Sequence, residues 1–120
     1  MIKKLLLALG LLGALAQAQL RFAILGDRTG GADPSVYERI WAQVAAEHPA
    51  FVINVGDTIE GYHDELAPAE WSQLHPLFHK YSAIPLYLIP GNHDIWSAAS
   101  ERLWKQQTGH SASYSFTFEE

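Results

Sequence analysis

Apolar residues along the chain fall into short unbroken runs and longer spaced stripes, in alternation. Residues 20–25, 51–55 and 86–89 are brief and almost wholly apolar, as expected of strands buried on both faces of a parallel sheet. Between the first two, Val36, Ile40, Trp41 and Val44 recur at helical spacing. Asp33-Pro34 ahead of them supplies an N-cap and a first-turn proline, and Pro49 ends the run. A second helix is predicted from about Pro68 to Tyr81, with Trp71, Leu74, Phe78 and Tyr81 on one face. Pro76 inside it predicts a kink or a split into two short helices. Residues 97–107 form a third predicted helix ended by Gly109, and residues 113–118 alternate polar with aromatic, which predicts a fourth strand near an edge.

The resulting order, β-α-β-α-β-α-β, implies an α/β fold with a mainly parallel sheet and right-handed crossovers. Such a topology brings the carboxyl ends of the first three strands to one edge, where open α/β sheets carry their chemistry. Gly26-Asp27, Gly56-Asp57 and Gly91-Asn92-His93-Asp94 stand at those ends. Two carboxylates and an amide brought together are electrostatically unfavourable unless a cation joins them. With Asp57 bridging, a pair of metal ions would activate water and clamp a phosphoryl oxygen. His93 is placed to protonate a leaving oxygen, with Asp94 to hold its ring.

Composition narrows the partners. The chain has 120 residues, a formal charge of −5 and no cysteine, which rules out thiolate and disulfide chemistry. No basic patch for nucleic acid is visible. Met1-Ile2-Lys3-Lys4, the apolar run that follows and Ala16-Gln17-Ala18 together read as a signal peptide over residues 1–18. That predicts a secreted or periplasmic protein with no membrane attachment after cleavage; the competing reading is an uncleaved anchor or a buried first helix.

The three tips, each after an apolar strand and in this order, resemble the first three motifs of the calcineurin-like metallophosphoesterase family, the group that includes purple acid phosphatases and phosphodiesterases. The resemblance spans about residues 21–118. It implies that Asp27 binds a first metal, Asp57 bridges, Asn92 binds a second and His93 acts near the leaving group. The implied cofactors are two divalent or trivalent ions (iron, manganese or zinc), and the implied substrate is a small phosphate mono- or diester.

Two departures bear on that reading. Thr29 stands where the fullest first motif has a histidine, and the family's later histidine motifs have no counterpart. Gly109-His110-Ser111-Ala112 lacks the second histidine of the last one. Residues 19–120 are therefore expected to be the amino-terminal part of a longer domain, and alone to bind metals weakly and turn over slowly.

Other candidates are weaker. Arg28 is a candidate donor to substrate phosphate, or an ordinary loop arginine. His63, in the loop after the second strand, is a candidate substrate contact. His75 and His79 have helical zinc spacing but no third ligand nearby, and read as an inert surface pair. Trp41, Trp71 and Trp104 fit core faces, and Trp96 would border the pocket. The alternative from another functional class is a secreted α/β binding module that kept the fold and lost turnover.

Overall fold

The computed structural model describes residues 19–119, so the leader predicted over residues 1–18 lies outside them. Strands β1 (Phe22–Leu25), β2 (Phe51–Asn54) and β3 (Leu86–Leu88) form one parallel sheet in that order. Helices α1 (Pro34–Ala46) and α2 (Ala67–Lys80) are the two crossovers, and α3 (Ala98–Thr108) follows β3. No helix among the described residues is long and apolar enough to cross a membrane.

Register shows how the two faces differ. Phe22 pairs with Phe51, Ala23 with Val52 and Val52 with Leu86. Alternation then puts Ala23, Leu25, Val52, Asn54, Leu86 and Leu88 on one face. The helices cover that face, with Trp41, Trp71 and Trp104 buried in a single core together with Tyr37, Ile59, Leu74, Val52 and Leu88. Trp71 meets Trp104 edge to face at 5.9 Å and so joins α2 to α3. The three tryptophans are core residues, as their spacing predicts.

The opposite face is aromatic and only partly covered. Phe22 stacks on Phe51 at 5.0 Å, and Phe116 stacks on Tyr87 at 3.5 Å. Ile24, Val55 and Ile89 stay exposed. Here the predicted fourth strand does not form: residues 113–118 follow the sheet face without a ladder. Their period-two pattern serves packing instead, since Phe116 and Phe118 lie on Phe51 and the Tyr114 hydroxyl donates to the Leu88 carbonyl at 2.7 Å.

Helix ends follow local chemistry. The Asp33 carboxylate accepts from the Ser35 amide at 2.8 Å ahead of Pro34. Ser97 and Ser100 form a reciprocal capping box on α3, and Gly109 closes it in the left-handed conformation at φ 74°. Helix α2 runs through Pro76 as one element, not the two short helices considered above. Trp71 and Leu74, buried before the proline, and half-buried Leu77 and Phe78 after it hold both halves to the same core. His75 and His79 are exposed on it, and the His75 ring bonds Gln107 at 2.7 Å.

Candidate metal centre

The ladder between β1 and β2 continues beyond the strands themselves. The Val55 amide donates to Leu25 at 2.7 Å, then the Asp27 amide to Gly56 at 3.0 Å and the Arg28 amide to Asp57 at 2.9 Å. Asp27 and Asp57 both take left-handed backbone conformations, φ 56° and 54°. Asp is among the few L-residues that tolerate this. Each chain therefore turns sharply just past its glycine.

The third tip is locked to the second by close approach. A Cβ on Gly56 would lie 2.6 Å from the Gly91 nitrogen, and one on Gly91 would collide with the Asp57 carboxylate. Only glycine lets these backbones touch. Asp57 Oδ1 then accepts from the His93 amide at 3.1 Å. The tips carrying Asp27, Asp57 and Asn92-His93 thus lie along one rim, as the topology predicts.

Side chains refine the picture. The Thr29 hydroxyl donates to Asp27 at 2.8 Å, and with the Thr29 amide it holds the Asp27 carboxyl below the usual range. Asn92 Nδ2 donates to the Tyr62 hydroxyl. His93 Nδ1 bonds the Glu60 carbonyl, and its ring meets Tyr62 edge-on at 4.6 Å. Trp96 borders this group, 5.8 Å from the Tyr62 ring.

Asp94 is the first correction. It is 1% exposed and does not hold the His93 ring; its carboxylate accepts from the amides of Gly91 (2.8 Å), Thr58 (2.9 Å) and Ile59 (3.4 Å). Burial pushes its carboxyl up, while those amides pull it the other way. Its work is to clasp the second and third tips from beneath.

Arg28 is the second correction. Its guanidinium turns inward, donating to the Thr58 carbonyl at 2.8 Å and lying 4.5 Å over the Tyr37 ring. A buried carbonyl and an aromatic face hold it there. His63 remains at the surface, its ring drawn to Glu65 at 3.8 Å.

Three contributors escaped the sequence reading. Glu60 spans the rim: its carboxylate accepts from Gly30 (3.1 Å), Gly31 (2.9 Å) and Ala32 (3.3 Å). Those amides, Gly31 foremost, keep its carboxyl below the usual range. Asn54, fully buried, braces the turn by accepting from the Gly56 amide at 3.0 Å and donating to the Tyr37 hydroxyl at 3.2 Å. Tyr62 is the third. The only hint in sequence was their position in or beside a strand-end loop, for which no spacing rule exists.

Among the described residues, no three His, Asp or Glu side chains gather into a metal cage. The donors on the rim are two carboxylates and one amide. These hard oxygens suit oxygen-preferring cations and supply part of a shell that water would complete. The residues present therefore fit a metal by donor type. Searches among curated proteins and among solved structures found no match. The family model described as calcineurin-like phosphoesterase matches residues 20–119, and the chain belongs to that family, the metal-dependent hydrolases of phosphoester bonds.

Proposed function

We propose that the protein is an exported phosphoesterase that hydrolyses phosphate mono- or diesters with two divalent or trivalent metal ions, drawn from iron, manganese and zinc. The observation that supports this most directly is the rim itself, where Asp27, Asp57 and Asn92 stand on three strand tips joined by main-chain bonds and by the Asp57 to His93 contact. In this reading Asp27 and Asn92 hold one ion each and Asp57 is shared. When bound, the ions lower the pKa of water and offset charge on the phosphoryl oxygens.

The chain's own residues do the rest. With Nδ1–H donated to the Glu60 carbonyl, the His93 ring has Nε2 to offer, and in its imidazolium form it can give the Nε2 proton to the leaving oxygen and keep the one on Nδ1. Asp94 keeps the loop that carries His93 in place through the amides it accepts. Export rests on the Lys3-Lys4 start, the apolar run and Ala16-Gln17-Ala18.

The test is hydrolysis of an aryl phosphate monoester and diester by the protein expressed from its complete reading frame. Activity should vanish on chelation, return with manganese or zinc, and fall by about 10²–10⁴-fold in His93→Ala. Turnover indifferent to chelation would overturn the metal reading. The second reading, a secreted non-catalytic binding module, is favoured by Thr29, whose hydroxyl is committed to Asp27 where the family's fullest motif has a histidine. It predicts phosphate-ester binding without turnover in the same assay.

A further inference from the structure

Tyr62 adopts φ 63°, a left-handed conformation that a bulky L-residue rarely takes. The residue is 50% exposed and lies outside the buried core. Apolar burial therefore does little to offset the strain, and strained residues of this kind cluster at functional sites. What Tyr62 touches is informative. Its hydroxyl accepts from Asn92 Nδ2, and its ring stands edge-on to His93 at 4.6 Å and tilted to Trp96 at 5.8 Å.

We infer that Tyr62 is a positioning residue for the reaction proposed above, acting through Asn92 and His93. The inference rests on that functional reading. A carboxamide has two ends of nearly equal shape, and a cation takes only the oxygen. With Nδ2 engaged by the Tyr62 hydroxyl, Oδ1 is the end left for the rim. Without that hydroxyl the amide turns freely and each binding event must order it. Partners that orient a ligand in this way typically matter by 10–100-fold in affinity. The ring has a separate task. His93 is held at Nδ1 by the Glu60 carbonyl, and the Tyr62 edge limits rotation of the imidazole about that bond.

The experiment compares wild type with Tyr62→Phe and Tyr62→Gly, using calorimetric titration of Mn²⁺ alone, steady-state kinetics on an aryl phosphate, and thermal unfolding. Phenylalanine keeps the ring and loses only the hydroxyl. It should weaken Mn²⁺ binding by roughly 10-fold or more and lower kcat more than it raises KM. Glycine relieves the left-handed backbone, so Tyr62→Gly should melt within a few degrees of wild type. It should bind Mn²⁺ at least as weakly as Tyr62→Phe and, having lost the ring, have a lower kcat than Tyr62→Phe. A merely structural tyrosine gives the opposite pattern, with phenylalanine restoring everything and glycine unfolding the loop. Wild-type Mn²⁺ affinity in Tyr62→Phe would overturn this inference alone. A wild type that binds no Mn²⁺ would overturn this inference, and turnover indifferent to chelation would overturn the proposed function with it.

Discussion

The main-chain carbonyl of Glu60 takes the Nδ1 side of His93, while the carboxylate of the same residue accepts the amides of Gly30, Gly31 and Ala32. One residue from the loop after β2 thereby links the loop after β1 to the imidazole after β3. A Cβ built on Gly30 or Gly31 would meet nothing within 4 Å, so side-chain packing does not hold that turn. Glu60→Ala should therefore speed hydrogen exchange of the Gly31 and Ala32 amides by about tenfold or more, because local opening no longer breaks those bonds. Exchange at the wild-type rate would mean that the loop is held from elsewhere.

Asp94 offers a sharper case because it is buried and every bond it makes is accepted. Asp94→Asn puts an NH₂ group against a main-chain amide that needs an acceptor. A buried donor left facing a donor costs about 1–3 kcal/mol. Urea unfolding of the variant should show a loss in that range, with the slope on denaturant unchanged. A neutral result would show that the loop can turn the amide away at no expense.

The two kinds of glycine can be separated by substitution. Gly109 is left-handed at φ 74° with open space around it, whereas Gly91 abuts the Asp57 carboxylate and amide. Gly109→Ala should cost only the backbone term, about 1–2 kcal/mol. Gly91→Ala forces the second and third tips apart, with an overpacking cost of about 1–3 kcal/mol. The distinguishing measurement is Mn²⁺ affinity, which should fall in Gly91→Ala and hold in Gly109→Ala.

The cap on α1 gives a dependence on pH. Bonds from the Ser35 side chain and amide hold the Asp33 carboxyl below the usual carboxylate range. A depressed carboxylate contributes stability that is fully present above the unfolded-state pKa and is lost as pH falls through the folded-state value. Asp33→Ala should therefore melt below wild type at pH 7, and the gap should close as the pH is taken well below 3.8. A gap that persists at pH 2 would assign the effect to something other than the ionised cap.

Much of the architecture was legible because it rests on periodicity. The apolar runs at 51–55 and 86–89 contain the central strand, 51–54, and an edge strand, 86–88, and the tryptophans at helical spacing became the core. That the tips carrying Asp27, Asp57 and Asn92 share one edge followed from the parallel pairing of the three strands. Residues 113–118 misled because period two describes any extended segment lying on a sheet, whether or not it joins the ladder. Asp94 and Arg28 misled for a different reason. Sequence proximity to His93 and to Asp27 said which tip each belongs to, but not whether its side chain faces the rim or the interior. That depends on Thr58, whose amide meets Asp94, 36 residues away in sequence, and whose carbonyl meets Arg28, 30 residues away.

The contact between Gly56 and Gly91 carries a last implication. Because bare main chain meets main chain there, atomic radii set the closest approach of the second and third tips, and the Asp57 and Asp94 carboxylates hold them at that limit. Residue 92 projects from that frame, whereas residue 57 also ties it through the His93 amide. Asp57→Asn, which keeps an Oδ1 for the His93 amide, and Asn92→Asp should both alter which ion is preferred while leaving the gauge between the two tips as it was.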